Sequence, residues 1–236
     1  MRLLITRAEP GASASAARLR RLGHEVLIEP MLRIEFLPPP PEASDPAALV
    51  VTSANAVRAV SQWPAARRWR DLPVLAVGGA TAAACREAGF TDIRSASGGA
   101  DALYDLVRIT FNPEAGVILC PVAETPAADL AGRLATAGFF VRTAIAYRAI
   151  PATRLSDAAR TALANRALDS VLFYSQRGAA AFAGLIAAGD MTGALASVDF
   201  FALSAEVVRP LDALSPRSTK IAPRPDEDSL FAALTT

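Results

Sequence analysis

A-L-V-V-T-S-A-N-A-V at residues 48–57 returns later in the same chain as S-V-L-F-Y-S-Q-R-G-A at residues 170–179. In both copies an apolar run leads into a small polar residue and then into a helical pattern. This order is typical of a buried strand followed by a helix. Such a junction directs the first turn of the helix out of the carboxyl end of the strand, where free backbone N–H groups attract an anion.

The repeat extends beyond this pair of segments. The spacing is nearly constant, since Thr52 and Tyr174 are 122 residues apart, and Leu103 and Leu230 are 127 apart. A β-α-β pattern at residues 3–28 also returns at 116–145. We therefore expect two similar α/β halves, each with five parallel strands. The other matching segments are V-L-A-V-G-G-A-T-A-A (74–83) with F-F-A-L-S-A-E-V-V (200–208), and I-R-S-A-S-G-G-A-D-A-L (93–103) with I-A-P-R-P-D-E-D-S-L (221–230).

Two segments that end in proline are interpreted as connections rather than core. They are L-R-I-E-F-L-P-P-P-P-E (32–42) and A-Y-R-A-I-P-A-T (146–153), and apolar positions alternate in both. Proline lacks the backbone donor that a ladder needs, so it limits each extended segment. Paired with each other, the segments would form a two-stranded hinge between the middle of the chain and its two ends. A single cut near residue 112, at F-N-P-E-A-G, is the alternative, and the residues leave both open.

Charge and length limit the possible partners. The 236 residues include 24 basic and 23 acidic side chains, for a net charge of +1. This balance gives no long-range field that would attract nucleic acid or an anionic membrane, so we expect neither as a partner. No apolar stretch reaches the roughly 18 residues of a membrane span. The start, M-R-L-L-I-T-R-A-E-P, lacks the apolar region of a signal peptide, and we expect a cytoplasmic location.

Metal and cofactor chemistry lack their usual residues. His24 is the only histidine, and it follows a glycine at a junction of helix and strand, where an exposed turn residue is expected. Cys85 and Cys120 fall in apolar patterns typical of reduced structural cysteines. The motifs H-E-x-x-H, G-x-G-x-x-G and G-x-x-x-x-G-K are absent from the sequence. We therefore expect no metal and no organic cofactor.

The segment V-T-S-A-N-A-V (51–57) offers polar groups at the end of a strand. Thr52 ends the strand, Ser53 is placed to cap the next helix, and Asn55 falls in its first turn. Together with the free N–H groups of that turn, these side chains could hold a carboxylate or phosphate. A serine that only caps the helix explains the pattern equally well.

A second polar junction, V-G-G-A-T-A (77–82), follows the next strand. Gly78 would allow the backbone to approach a ligand closely, and Thr81 lies in the opening turn of the helix. A tight turn would explain the glycine without any ligand. Because adjacent parallel strands open on the same edge of a sheet, we expect both junctions to contribute to one site.

The second half of the repeat and the chain start add charged candidates. Ser175 occupies the place of Ser53, and Arg177 the place of Asn55. Arg177, and Arg7 directly after the first strand, could each clamp a carboxylate with two parallel hydrogen bonds, although exposed arginines of no function look the same. Tyr147 lies in the second connection, where its phenol could donate a proton or could simply pack.

Taken together, these segments resemble the uroporphyrinogen-III synthase family over essentially the whole chain. No single segment is diagnostic, but their order and spacing, with the duplication, are specific. Besides the two polar junctions, the segments that carry the resemblance are I-T-R (5–7), L-R-R-L-G-H-E-V (19–26), E-P-M-L-R-I (29–34), A-Y-R (146–148), F-Y-S (173–175), F-A-L-S-A-E-V (201–207) and L-F-A-A-L (230–234).

The resemblance implies two flavodoxin-like, parallel-sheet α/β domains joined by a two-stranded β-ladder hinge. Residues 1–34 and 152–236 would form the first, discontinuous domain and residues 38–146 the second, with hinge strands at 33–38 and 146–152. It also implies a lyase that closes the linear tetrapyrrole hydroxymethylbilane, with loss of water and inversion of ring D, without metal or organic cofactor. We assume a monomer.

The resemblance also assigns roles to residues. Tyr147 matches the family tyrosine proposed as proton donor, and Thr81 a threonine thought to assist it, so both would be catalytic. The substrate carboxylates would be bound by Arg7, Thr52, Ser53, Asn55, Gly78, Ser175 and Arg177.

Two departures from the family pattern leave room for other functions. Pro121–Glu124 stands where the family often has an arginine and a glycine, and Ser204–Glu206 replaces a turn that usually bears glycine and threonine. A noncatalytic tetrapyrrole- or anion-binding module with the same fold is therefore the alternative function. A nucleotide-dependent enzyme is disfavoured by the missing phosphate loop.

Overall fold

Two β-sheets form the framework of the protein in the computed structural model, which describes residues 1–40, 45–96, 98–126 and 128–235. Pro41 and Glu42 of the first connection and Ser97 of the repeat lie outside the described residues. In chain order the strands are β1 (Arg2–Ile5), β2 (Glu25–Ile28), β3 (Leu32–Phe36), β4 (Ala48–Val51), β5 (Val74–Ala76), β6 (Ile93–Ser95), β7 (Ile118–Ala123), β8 (Val141–Pro151), β9 (Ser170–Phe173), β10 (Asp199–Ala202) and β11 (Ser218–Ile221).

Helices cover the connections between these strands. The α-helices are α1 (Gly11–Arg21), α2 (Ala54–Ser61), α3 (Gly79–Glu87), α4 (Gly99–Thr110), α5 (Leu130–Thr136), α6 (Asp157–Ala164), α7 (Gln176–Ala188), α8 (Ala205–Val208) and α9 (Glu227–Ala232). Short 3₁₀ helices lie at Pro64–Trp69, Pro113–Ala115, Thr192–Leu195, Arg209–Leu211 and Ala233–Thr235.

The first compact unit, unit 1, comprises Met1–Arg33 and Ile150–Thr236. Its five strands are parallel and lie in the order β2-β1-β9-β10-β11. Counted along the chain within the unit, this is the 2-1-3-4-5 order of flavodoxin-like sheets. The chain end therefore completes a sheet that the chain start begins.

The second compact unit, unit 2, comprises Ile34–Ala149, and its sheet has the order β3-β8-β7-β4-β5-β6. The five strands from β8 to β6 are parallel. If β7 and β8 are counted first, their order is again 2-1-3-4-5. The two sheets are thus circular permutations of one another, and the prediction of two similar parallel α/β sheets is confirmed.

Strands β3 and β8 carry the chain from one unit to the other and are neighbours in the sheet. The Leu37 N–H donates to the Ala146 carbonyl at 2.8 Å. Strand β8 is one continuous strand of 11 residues, whereas the sequence analysis expected a core strand ending at Ile145 and a separate connection. No glycine or proline interrupts its alternating pattern before Pro151, so the strand continues. The domain boundaries and the hinge role of this ladder remain predictions.

Each sheet is covered by apolar side chains, and in unit 1 the core contains three phenylalanines. Phe173 and Phe182 have ring centroids 5.2 Å apart, and Phe200 lies 5.0 Å from Phe173 in another edge-to-face contact. In unit 2, Trp63 and Trp69 meet edge to face at 6.4 Å. These aromatic contacts fix the helices on the sheets, which in turn fixes the helix starts at the strand ends.

A buried carboxylate joins the end of β2 to the start of α6. Glu29 is 5 % exposed. It accepts the Ser156 backbone N–H at 2.8 Å and, in a short hydrogen bond, the Ser156 hydroxyl. The Ser156 hydroxyl oxygen in turn accepts the Ala159 N–H at 3.2 Å and caps α6. A charge buried in this way is tolerated because its oxygens are hydrogen-bonded.

Phe182→Ala is expected to lower the free energy of unfolding of unit 1 by about 3–5 kcal/mol, because it opens a cavity between two aromatic neighbours. The matched control is Phe140→Ala, since Phe140 is 66 % exposed, and its cost should stay below about 0.5 kcal/mol. Urea unfolding followed by circular dichroism measures both. Equal losses for the two variants would contradict the packing described.

Candidate active site

The order of the strands reverses at one place in each sheet, and ligands of such folds bind outside the carboxyl ends of the strands there. In unit 1 the reversal lies between β1 and β9, and in unit 2 it lies between β7 and β4. Every predicted site residue except Gly78, Thr81 and Tyr147 follows directly on one of these strands or lies in the helix turn after it. We describe the two places separately.

Tyr147 and Ser53 are hydrogen-bonded to each other in unit 2. The Tyr147 hydroxyl donates to Ser53 Oγ at 3.1 Å. Ser53 Oγ also accepts the Asn55 backbone N–H at 3.1 Å, so Ser53 is the N-cap of α2 as predicted. With both contacts on its oxygen, the Ser53 hydroxyl keeps its own proton available for donation to a further group.

An irregularity in the β7–β8 ladder holds the Tyr147 backbone. Val122 lies opposite Ile145, but the next residue, Ala123, lies opposite Tyr147, which leaves one extra residue on β8. The Glu124 N–H then donates to the Tyr147 carbonyl at 2.9 Å. Bulges of this kind re-aim a side chain at the edge of a sheet. The segment Pro121–Glu124, which lacks the family arginine, thus holds Tyr147 through its backbone.

The remaining predicted residues of unit 2 differ in exposure. Thr52 is exposed after β4, and Asn55 is half-buried, with its Oδ1 accepting Arg58 Nη1 at 3.2 Å. Thr81 is only 6 % exposed in the opening turn of α3. No hydrogen bond joins Thr81 to Tyr147 among the described residues.

Gly78 is the N-cap of α3, and neither backbone strain nor crowding requires a glycine at this position. Its φ of 178° is extended backbone, which any residue adopts. A side chain added there would meet no described atom within 4 Å. The glycine therefore leaves open space in front of α3, which agrees with close approach by a ligand but does not show one.

A small cavity opens at the carboxyl ends of β4 and β7, and Thr52 is the one predicted site residue in its wall. Its walls are mostly apolar, and the hydroxyls of two threonines and the Asp129 carboxylate supply the polar groups. Asp129 Oδ1 accepts the Gly132 N–H at 2.8 Å and so caps α5. The lining residues are Val50, Thr52, Cys120, Val122, Pro126, Ala128, Asp129, Leu130, Ala131 and Thr143.

In unit 1 the predicted residues lie after β1 and β9. Ser175 caps α7, and its Oγ accepts the Gly178 N–H at 3.1 Å. Arg177 is exposed in the first turn of that helix. Arg7 binds a carboxylate of the chain itself, because its Nη1 donates to Glu227 Oε1 at 2.9 Å. The assignment of these three residues to a ligand remains a prediction.

The comparisons with known proteins identify the family. The profile of the family described as uroporphyrinogen-III synthase HemD matches residues 13–232. The chain belongs to the uroporphyrinogen-III synthase family. Comparison with curated protein sequences gives no match.

Two solved structures of the uroporphyrinogen-III synthase family share the fold. The synthetase from Helicobacter pylori is 16 % identical, with 100 % of this chain and 99 % of that chain covered and a TM-score of 0.64. A mutant synthase from Thermus thermophilus is 20 % identical, with 100 % and 97 % covered and a TM-score of 0.56. At sequence identities this low, the similarity to these two structures shows a shared fold.

The second departure from the synthase family pattern contains a negatively charged residue, Glu206. Glu206 lies exposed in the first turn of α8. A hydrogen bond from the Ser204 hydroxyl, followed by one from its own backbone N–H, lowers the pKa of the Glu206 carboxyl. Glu206 is therefore ionised at neutral pH, and a ligand carboxylate would be repelled near it.

Metal-binding clusters and membrane-spanning helices are absent from the described part of this synthase-family chain, and its cysteines are buried. The described residues contain no cluster of three or more His, Cys, Asp or Glu that could hold a metal ion. None of the described helices has the length and apolar character needed to cross a bilayer. Both cysteines are free and buried.

Sequence reasoning missed the residues that pair with the predicted ones across long stretches of chain. Glu227 is 220 residues from Arg7, and Ser15 and Arg18 bind the same carboxylate. One signal was available in the repeat itself. At the constant spacing, Glu227 corresponds to Ala100, so one half places an acidic residue where the other has none.

Ser53→Ala and Ser175→Ala are each expected to lower the free energy of unfolding by about 1 kcal/mol through loss of the cap. For Ser53→Ala we expect an additional loss of about 0.5–1.5 kcal/mol in the free energy of unfolding, because the Tyr147 hydroxyl also loses its acceptor. A double-mutant cycle with Tyr147→Phe, measured by urea unfolding, isolates that second term. No coupling between positions 53 and 147 would contradict the hydrogen bond.

Neither thiol is expected to react readily in the folded protein. Burial raises the pKa of the Cys85 thiol to about 11 and that of Cys120 to about 12, above the roughly 8.5 of an exposed thiol. At pH 8, Ellman's reagent should therefore react at least about 100-fold more slowly with the folded than with the unfolded chain. Because the folded pKa values are the higher ones, stability should fall as pH rises above about 8.5. Fast reaction of one thiol in the folded protein would argue for a catalytic cysteine.

Proposed function

We propose that this chain is a uroporphyrinogen-III synthase, a lyase that closes hydroxymethylbilane with loss of water and inversion of ring D. The observation that carries the proposal, beyond family membership, is the hydrogen bond from the Tyr147 hydroxyl to the helix-capping Ser53. This bond supports the proposal, because it holds a tyrosine hydroxyl at the carboxyl end of the sheet of unit 2, where ligands of this fold class bind.

The reaction begins with departure of the ring A hydroxyl group. The C–O bond breaks, the pyrrole nitrogen supplies the electron pair that forms the exocyclic C=C bond of an azafulvene, and the hydroxyl leaves as water once it has gained a proton. Tyr147 and Ser53 supply that proton as a pair. Ser53 gives its own proton to the leaving group and receives one from Tyr147. Tyr147 is then a phenolate hydrogen-bonded to Ser53, and its negative charge balances the positive charge of the azafulvene, whose nitrogen keeps its hydrogen.

The same pair also orients the donor. Ser53 is fixed by its N-cap hydrogen bond, and the Tyr147 backbone is fixed by Glu124 at the bulge. A donor held in one place adds no ordering cost during the reaction. Thr81, which is buried in the opening turn of α3, would assist this donor.

Substrate carboxylates and rings need different surfaces, and both are available. Capped helix starts at Ser53 and Ser175 each stabilise a nearby anion by about 0.3–1 kcal/mol, and Arg177 adds a full charge. Thr52 and Asn55 add polar groups at the first of these starts. The mostly apolar cavity between β4 and β7 suits the face of a pyrrole ring.

The proposal includes the remaining expectations from the sequence. The chain would act as a monomer in the cytoplasm on a small-molecule tetrapyrrole, without metal or organic cofactor and without a nucleic-acid or membrane partner. No contact in the described residues favours the alternative of a noncatalytic binding module.

The test supplies freshly generated hydroxymethylbilane to the purified protein, followed by oxidation and separation of the uroporphyrin isomers. The wild-type chain should yield mainly the type III isomer. Tyr147→Phe should slow its formation by about 10²–10⁴-fold, because the donor proton is lost while the ring remains. Tyr104→Phe, the same change elsewhere in unit 2, is the matched control and should leave the rate unchanged.

Two results would change this assignment. Formation of only the spontaneous type I isomer by the wild-type chain would replace the synthase with a binding function. Undiminished type III formation by Tyr147→Phe would keep the enzyme and remove Tyr147 as the donor.

A further inference from the structure

Glu227 is held by side chains that are suited to bind a ligand carboxylate. Arg7 Nη1 donates to Glu227 Oε1 at 2.9 Å, and Arg18 Nη1 donates to Oε2 at 2.5 Å. The Ser15 hydroxyl makes a short hydrogen bond to Oε1 and also accepts Arg7 Nη1 at 3.1 Å. Both carboxylate oxygens are therefore bound, and only 19 % of the Glu227 side chain is exposed.

The two arginines are held in place by aromatic rings. The Arg7 guanidinium lies 5.2 Å from the centre of the Tyr174 ring, and that of Arg18 lies 4.9 Å from the Phe231 ring. Guanidinium groups stacked in this way keep their fork pointed at the carboxylate. The buried Tyr174 hydroxyl approaches Ser15 and Glu227 without making a hydrogen bond of normal geometry. Burial, followed by the Glu227 charge, raises its pKa, so the hydroxyl stays a neutral donor.

The position of the group is that of a ligand site. Arg7 follows β1 and Tyr174 follows β9, the two strands between which the order of the unit 1 sheet reverses. This is the place where an open parallel sheet takes its ligand. Arg7 therefore binds a carboxylate of the chain beside the place that the fold offers to an anion.

The occupant also indicates which anion would fit. Beyond its Cα, glutamate consists of two methylene groups and a carboxylate, which are the atoms of a propionate side chain. Two arginines and a hydroxyl match the planar carboxylate, and an aromatic ring lies against each guanidinium group. The comparison between the halves agrees, because unit 2 has Ala100 at the place of Glu227 and no arginine at Pro121–Ala123, where β7 ends. Unit 2 keeps a counterpart of the Arg18–Asp228 pair, since Arg133 Nη1 donates to Asp101 Oδ1 at 2.7 Å, but it has neither Arg7 nor Glu227 at the matching places.

We infer that Arg7, Ser15 and Arg18 form a binding site for an alkyl carboxylate of the propionate type, which Glu227 fills until a ligand side chain replaces it. The site itself rests on these contacts, and its use for a tetrapyrrole propionate rests on the proposed function. Glu227 then acts as an internal competitor that sets how strongly unit 1 holds a carboxylate.

The experiment removes the competitor and measures the site directly. Glu227→Gln keeps the shape of the side chain but removes its charge, which leaves Arg7 without a counter-ion. Sodium propionate is titrated at constant ionic strength while the Nε–H resonances of the arginines are followed by NMR. Glu227→Gln should bind propionate at least about tenfold more tightly than the wild-type chain, because a charged hydrogen-bond partner is freed.

Two further variants separate the site from a general effect of charge. Asp228→Asn removes one negative charge from the same helix, where Asp228 is 78 % exposed and accepts from Nη2 of Arg18 rather than from Nη1. Its gain should stay within about twofold, since an exposed ion pair contributes little. Adding Arg7→Gln to Glu227→Gln should abolish the gain. Equal gains for Asp228→Asn and Glu227→Gln, or no gain for Glu227→Gln, would overturn the inference.

A second variant tests the carboxylate site if Glu227→Gln folds poorly. Glu227→Ala removes the atoms of one acetate, so sodium acetate should raise the melting temperature of that variant more than sodium chloride does at the same ionic strength. Equal effects of the two salts would overturn the inference. Neither measurement uses hydroxymethylbilane, so failure of the synthase assignment and failure of this site are distinguishable.

If the chain does form the type III isomer, Glu227→Gln should lower KM, whereas a raised KM would assign Glu227 a positioning role instead.

Discussion

Parallel pairing between β1 and β9 is the contact on which unit 1 depends. Leu3 lies opposite Ser170 and Ile5 opposite Leu172, so the chain start is joined to a segment that follows all of unit 2. The buried Thr6 hydroxyl extends the pairing by donating to the Leu172 carbonyl at 2.8 Å, across 166 residues of sequence. This one register places Arg7 beside Tyr174 and Ser175. Without it neither the central sheet nor the carboxylate site of the unit could form.

Unit 2 forms the equivalent sheet with a different order of strands along the chain. The corresponding pairing is between β7 and β4, where Ala48 lies opposite Ile118, and the chain enters the sheet at the strand that is third in unit 1. Circular permutation changes the connections but leaves each strand end and helix start in the same place within its sheet. Strand ends therefore keep their places under this permutation, which is why the repeat in the sequence marks equivalent positions in both units.

Local features of this fold follow from the sequence, while contacts between distant side chains do not. Ser53 and Ser175 cap helices as predicted, because a cap needs only a serine before a helical pattern. The continuous strand β8 was divided wrongly at Ile145, since alternation alone does not mark where a core strand becomes a connection. The pairs Tyr147–Ser53 and Arg7–Glu227 join residues 94 and 220 positions apart. Local sequence patterns do not indicate such pairs, because only the topology of the fold brings the two residues of each pair together.

The predicted site residues of the two units differ in chemistry, and under the proposed function this difference would separate binding from reaction. In unit 2 the predicted site residues offer a phenol, hydroxyls and an amide, which carry no charge, while the Asp129 carboxylate of the neighbouring cavity caps α5. In unit 1 the corresponding groups are two guanidinium groups with an internal carboxylate, which bind charge strongly but move no proton at neutral pH. A leaving hydroxyl group needs the first kind of surface, and an anionic side chain needs the second. The duplicated fold can therefore assign each task to one copy, so that a change in the strength of carboxylate binding leaves the proton donor untouched.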